Sequence, residues 1–211
     1  MINIYGNSGA GKSTLAKKVL NDIKFVNYHT HFFIAFDGRS FTEQVIVDYR
    51  ARNNDENFPE ISPNVDILVQ LKYCYNHWTK SNEQGVYPKV LIVWDNLIDD
   101  TDISRYLSGL DHIQIIITSH KAISTKDYFT VELSNLSLEQ NLEVFEYFIP
   151  TKKKQDPQSA TEIIEFIGYN TKAVSLVAEF LKDFDQDLAN FLSQIKKKEK
   201  FYYPFCFFFY N

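Results

Sequence analysis

The segment Gly6-Asn7-Ser8-Gly9-Ala10-Gly11-Lys12-Ser13-Thr14 brings glycines, a lysine and hydroxyl side chains together at fixed spacing. Gly6, Gly9 and Gly11 let the backbone curl so that successive N–H groups point inward, which suits the oxygens of a phosphate. Lys12 adds a point charge able to reach the β and γ phosphates of a nucleotide, and Ser13 adds a hydroxyl for magnesium. Such a cradle needs a strand before it and a helix behind it. Ile2-Asn3-Ile4-Tyr5 is strand-like, and Lys12 to Asn21 is patterned as a helix whose N-terminus adds the positive end of its dipole. The expectation is that Gly6, Asn7, Ser8, Gly9, Ala10, Gly11, Lys12, Ser13 and Thr14 hold the phosphates of ATP or ADP with magnesium. The alternative is a chance glycine-rich turn.

Asp95 closes the apolar run Val90-Leu91-Ile92-Val93-Trp94, which places a carboxylate at the carboxyl edge of a sheet, where ligands of open α/β folds bind. Ser13 and Asp95 are therefore the expected magnesium ligands, and Lys12 and Asp95 the expected catalytic pair. A turn or helix-capping role is the alternative for Asp95. Its neighbour is Asn96, whose amide cannot take a proton from water at neutral pH, so hydrolysis is expected to be slow. Thr118-Ser119-His120 ends the next apolar strand, from which the hydroxyl of Thr118 or the ring of His120 could report a γ phosphate. A polar strand end without ligand contact is the alternative. His77 and His112 have no partners at metal-ligand spacing.

Five short apolar runs alternate with helical stretches, the pattern of βα units around a parallel sheet. Strands are expected at Ile2–Tyr5, Phe32–Phe36, Val90–Trp94, Ile113–Thr118 and Phe129–Leu133, with a helix after each of the first three. Residues 51–64 are expected to form a surface loop. Beyond Leu133 the strand pattern stops. Ser137-Leu138-Glu139-Gln140 and Ser159-Ala160-Thr161-Glu162 carry capping-box spacing ahead of helical runs, and Gly168 sits where a helix would end. The expected organisation is an α/β domain over 1–133, a helical subdomain over 134–181 and a truncated tail over 182–211.

A chain of 211 residues, 45% apolar and of net charge -5, carries no composition signal for nucleic acid, and nothing in it reaches the length of a membrane span. Lys152 to Lys154 and Lys196 to Lys198 are expected to be solvated clusters. Cys74 and Cys206 are far apart without metal spacing, which points to a reducing, cytoplasmic compartment. The aromatic stretch 201–211 is expected to be the stump of a truncated chain, ahead of an interfacial anchor.

Together these residues resemble the NB-ARC family of the STAND class of P-loop signalling ATPases. The resemblance runs from Met1 to about Leu181. It rests on Gly6 to Thr14 as Walker A, Val90 to Asn96 as Walker B, Ile115 to His120 in place of a strand ending in arginine, Leu136 to Phe145, and Gly168 to Val174 followed by Leu176 to Leu181. It implies a P-loop NTPase fold, a three-layer α/β/α domain with a five-stranded parallel sheet, followed by a small helical subdomain. It also implies that another strand separates the first strand from its successor in sequence. The activity implied is an ADP/ATP switch with slow or no hydrolysis that acts through protein partners or self-association. Thr171 stands where the family's base-contacting proline would be, and His120 where its γ-phosphate-sensing arginine would be. By this resemblance the chain is expected to start within the first strand and to lack the segment with which the family holds adenine. Rivals are a small-molecule kinase, which would need more phosphate-clamping arginines than Arg39, Arg50, Arg52 and Arg105, and a nucleotide-free interaction module.

Overall fold

The computed structural model describes residues 1–23, 28–35, 41–53, 55, 58, 66–97, 113–123, 129–149, 156–183 and 187–198. The helix expected after the Asp95 strand and the aromatic stretch 201–211 lie outside the described residues, as do Arg39, Arg105, His112 and Cys206. Two compact units are present, Met1–Gly6 with Lys12–Leu133, and Asn7–Gly11 with Ser134–Asn211.

The first unit contains β1 (Ile2–Tyr5), α1 (Lys12–Ile23), β2 (Tyr28–Ala35), α2 (Phe41–Arg52), α3 (Ile67–Trp78), β3 (Lys89–Leu97), β4 (Ile113–Ser119) and β5 (Phe129–Glu132). Its strands hydrogen-bond in the order β2-β3-β4-β1-β5, every pair parallel. Two strands, β3 and β4, therefore separate β1 from its successor β2. That order sets β4, with Thr118, between the strand that leads into the glycine loop and the strand that carries Asp95.

The side-chain period of two in a strand explains the layers. Val90, Ile92 and Trp94 of β3 join Ile115 and Ile117 of β4 against Tyr49 of α2 and Leu71, Tyr75 and Trp78 of α3. Leu91 and Val93 join Ile4 and Ile116 against Ala16 of α1. The sheet is thus covered by α1 on one face and by α2 and α3 on the other, which is why β3 and β4 are nearly continuous apolar runs. The alternation also fixes the polar ends. Asp95 falls in phase with Leu91 and Val93, and Thr118 in phase with Ile116, so both belong to the face that α1 covers.

Several boundaries differ from those expected. β2 starts at Tyr28, ahead of Phe32, and is described as far as Ala35, the expected last residue Phe36 lying outside the described residues. β3 continues to Leu97 through a register shift after Trp94, where Asn96 takes a left-handed φ of 61° that asparagine tolerates better than most residues. The stretch after the loop holds a separate helix, α3, opened by Asp66, whose carboxylate accepts the N–H of Leu68 at 3.0 Å.

The second unit contains α4 (Leu138–Phe148), α5 (Pro157–Phe166), α6 (Thr171–Asp183) and α7 (Leu188–Lys198). Ser137 opens α4 with the expected capping box, accepting the N–H of Gln140 at 3.3 Å while the Gln140 amide oxygen accepts the N–H of Ser137 at 3.0 Å. α5 starts earlier than the Ser159 signal. Asp156 caps it by accepting the Ser159 N–H at 3.0 Å, and Pro157 occupies the first turn, where its missing N–H costs nothing.

Buried residues recur at helical spacing along α6 (Ala173, Val174, Val177, Ala178, Leu181) and α7 (Leu188, Phe191, Leu192, Ile195). All of these but Ala173 form one core with Phe145, Ile149, Ile163 and Ile164. The helical core therefore runs past the expected boundary at Leu181, because α7 supplies four of its buried side chains. Lys196, expected to be simply solvated, pairs with Glu162 at 2.7 Å on the exposed side of α5 and α7.

Candidate functional site

The strand-to-helix passage depends on glycine at its first position. Gly6 has φ 146°, and a Cβ there would run into the carbonyl oxygen of Leu133, whose N–H donates to the carbonyl of Tyr5 at 2.7 Å. Only a residue without a side chain lets the loop leave β1 this close to the end of β5.

Behind the loop, Lys12 is buried and its Nζ donates to the Gly6 carbonyl at 2.8 Å. Burial lowers the pKa of this ammonium, and the Asp95 carboxylate opposes the shift. Asp95 is itself buried, and one of its oxygens collects two hydroxyl protons, from Ser13 at 2.7 Å and from Thr118 at 2.6 Å. The Thr118 hydroxyl also accepts the N–H of Asn96 at 2.7 Å. Ser13, Asp95 and Thr118 are thus brought together as the shared face of β3, β4 and α1 requires.

The chemistry of this set follows from hydrogen-bond capacity. Ser13 commits its one proton to Asp95, which leaves its oxygen lone pairs and the other carboxylate oxygen for a hard cation. A hydroxyl and a carboxylate at this separation, beside an ammonium, are the donor set that magnesium with a nucleotide phosphate calls for. The residues present therefore fit that group. The hydroxyl of Thr118 gives its single proton to Asp95 and accepts the N–H of Asn96, so in this arrangement it holds the carboxylate in place.

The other expected residues are not all drawn into this network. Thr14 is exposed on α1, Asn7 and Ser8 are exposed in the loop, and Ala10 is buried, its N–H donating to the Asn7 carbonyl at 3.3 Å. His120 is exposed one residue past β4. Thr171 is the first residue of α6, with its hydroxyl buried and without a hydrogen-bond partner among the described residues.

Two further asparagines matter that the loop motif does not include. Asn3, fully buried in β1, donates to Ser119 Oγ at 2.8 Å and accepts the N–H of Ile123 at 3.0 Å, tying down the end of β4 next to Thr118. Asn170 precedes α6 and donates to the Ser8 carbonyl at 2.8 Å. An N-cap signal at Asn170 is readable in Gly168-Tyr169-Asn170-Thr171; nothing in the sequence signals Asn3.

Replacing Thr118 by valine keeps its shape and removes the hydroxyl, stripping Asn96 of an acceptor and Asp95 of a donor. Stability to urea is expected to fall by about 1–3 kcal/mol. A loss below about 0.5 kcal/mol, within the range of a neutral surface change, would show that the hydroxyl is not needed to hold Asp95.

A parallel sheet in this order, with a glycine loop leading from its first strand into a helix and an aspartate at the end of a central strand, is the fold of P-loop NTPases. The solved structure of Drosophila ORC bound to DNA shares it, with TM-score 0.58 and 11% identity over 96% of this chain and 62% of that one. So does Cdc6p from Pyrobaculum aerophilum, with TM-score 0.58 and 14% identity over 82% of this chain and 52% of that one. In sequence, the chain is 23% identical over 218 residues to apoptotic protease-activating factor 1 of Mus musculus, covering 94% of this chain. It spans 16% of the length of that curated relative. No protein-family model matches the chain. Among the described residues, no helix is long and apolar enough to cross a membrane, and no cluster of three or more His, Cys, Asp or Glu side chains could hold a metal.

Proposed function

We propose that this chain is the nucleotide-binding switch core of an NB-ARC-type protein, which binds ADP or ATP with magnesium and passes the difference between them to protein partners or to further copies of itself. The observation that carries this reading is the Asp95 carboxylate, which receives the hydroxyl protons of Ser13 and Thr118 at 2.7 and 2.6 Å. Few structural roles explain a buried carboxylate with two hydroxyl donors behind a glycine loop and a buried lysine, whereas cation and phosphate binding explains all four at once.

Gly6 to Thr14 would hold the phosphates, Lys12 would neutralise the β and γ groups, and Ser13 with Asp95 would hold magnesium. Bound magnesium supplies charge neutralisation across the phosphate oxygens. Thr118 would orient Asp95, and His120, exposed one residue past β4, would sense the γ phosphate. Asn96 follows Asp95 where a carboxylate could have taken a proton from water, which supports slow turnover and a switch over a product-making enzyme. The sequence likeness to apoptotic protease-activating factor 1, over nearly the whole chain, supports the family assignment.

The test is hydrogen exchange of the chain with Mg-ADP and with a non-hydrolysable Mg-ATP analogue. Both are expected to protect residues 6–14, and the two are expected to differ in the protection of α4 to α6. Identical patterns would remove the switch, and phosphoryl transfer to a metabolite in a substrate screen would move the assignment to a small-molecule kinase.

A further inference from the structure

The apex of the phosphate loop, Asn7–Gly11, groups with the helical unit, and one side chain of that unit grips it. The Oδ1 of Asn170 accepts the N–H of Ala173 at 3.1 Å and so caps α6, while its Nδ2 donates to the Ser8 carbonyl at 2.8 Å. The same amide occupies the space a side chain at position 9 would need. Gly9 has φ 80°, and a Cβ there would run into Asn170 Oδ1. Asn170 is itself delivered by a fixed turn, in which Gly168 and Tyr169 have left-handed φ of 71° and 58°. The fully buried Asn141 of α4 donates to the carbonyls of Leu136 at 2.9 Å and Tyr169 at 3.3 Å, which pins that turn to the helical core.

The geometry of the peptide unit gives this grip a consequence. The Ser8–Gly9 peptide is trans and planar, so its carbonyl and its N–H point in opposite directions. A carbonyl held by Asn170 on one side turns the Gly9 N–H to the other, and a loop that binds phosphate needs its N–H groups turned inward before the anion arrives. We infer that Asn170 is a positioning residue for the phosphate loop, presetting the Ser8–Gly9 peptide and making the loop's conformation and the cap of α6 depend on one amide. The inference rests on the phosphate reading of the loop for its purpose, though the grip itself exists without nucleotide. It also gives a route by which the loop's occupancy reaches the helical unit, since any turn of the Ser8–Gly9 peptide must break or keep a bond made by the first capping group of α6.

The test separates the grip from the cap. Asn170→Ser keeps an oxygen able to cap α6 but has no amide to reach Ser8. Asn170→Asp keeps both the cap and the shape and sets a carboxylate oxygen against the Ser8 carbonyl. In the free protein, exchange of the Ala10 amide, whose bond to Asn7 closes the loop, is expected to quicken in both variants while the amides of α6 exchange as in wild type. Mg-ADP is expected to bind about three- to tenfold more weakly to Asn170→Ser, the effect of one lost hydrogen bond, and more weakly still to Asn170→Asp.

Unchanged Ala10 exchange, or quickened exchange with undiminished ADP binding, would overturn the inference. Loss of α6 protection in step with affinity would reduce Asn170 to a helix cap and overturn it as well. Quickened Ala10 exchange in a protein whose wild type binds no Mg-ADP would leave the grip standing and remove the proposed function instead.

Discussion

Replacing Lys12 by alanine is expected to abolish the stabilisation that Mg-ADP or Mg-ATP gives the wild-type chain. At a nucleotide concentration of about 100 times the dissociation constant, binding stabilises a fold by roughly 2.7 kcal/mol. For a chain of this size that is a rise in melting temperature of about 5–11 °C. What makes the variant informative is its behaviour without nucleotide. Lys12 is 8% exposed, and its pKa lies below the ordinary lysine value because burial disfavours the charged form. A lysine whose folded-state pKa is lowered binds its proton less tightly folded than unfolded, so the charged group opposes folding at every pH below its folded pKa. Relief comes only as pH rises through that value. The bond from Nζ to the Gly6 carbonyl offsets part of this cost. Free Lys12→Ala is therefore expected to melt close to or above the free wild type, while showing no shift with nucleotide. That combination is what a binding group produces and a structural one does not. A shift that survives in the variant would sink the phosphate reading of the loop, and a free variant that melts far below wild type would mark Lys12 as a packing residue.

What the sequence made legible was local. Gly6 to Ser13 is a contiguous string whose spacing carries its chemistry, and Val90 to Asp95 is a contiguous run whose last residue must sit at a sheet edge. The capping box at Ser137 and Gln140 spans one helical turn. Each of these can be found without knowing the register of any strand. The period of two also puts Asp95 in phase with Val93 and Thr118 in phase with Ile116, and the strand ending in Thr118 was expected beside the one ending in Asp95, but only the register and packing show that both phases face α1. For that reason Thr118 could be suspected at the site while its actual partner, Asp95, could not. The long-range bonds of Asn3 and Asn170 were out of reach for the same cause. Those bonds close over 116 and 162 residues of chain, and an asparagine in a strand or ahead of a helix has many commoner explanations. The boundary misplaced at Leu181 has a different origin. The resemblance ends at Leu181, whereas Leu188, Phe191, Leu192 and Ile195 at i, i+3, i+4 and i+7 mark a buried face of α7 beyond it.

Phe145→Ala is expected to be the most destabilising single change in the helical unit. Phe145 is fully buried, and it lies in a core shared by α4, α5, α6 and α7. Truncating such a phenylalanine costs about 3–5 kcal/mol, through lost burial and the cavity left behind. Two probes can localise the damage. Both tryptophans, Trp78 and Trp94, are buried in the α/β unit, so their fluorescence reports that unit alone, whereas far-ultraviolet circular dichroism reports helices of both. In the variant, the dichroism is expected to lose helix at a lower temperature than the fluorescence changes. Coincident transitions would show that the two units unfold as one, and the early dichroism loss would then be absent. The loop apex adds a functional consequence to a substitution that touches no loop residue. Residues 7–11 belong to the helical unit, and Asn170 holds Ser8 from a turn that Asn141 of α4 pins in place. When α4 loses its anchor at Phe145, the turn and then the Ser8–Gly9 peptide lose theirs. Nucleotide stabilisation should therefore vanish at the temperature of the early transition, before the sheet that carries Asp95 and Thr118 has opened.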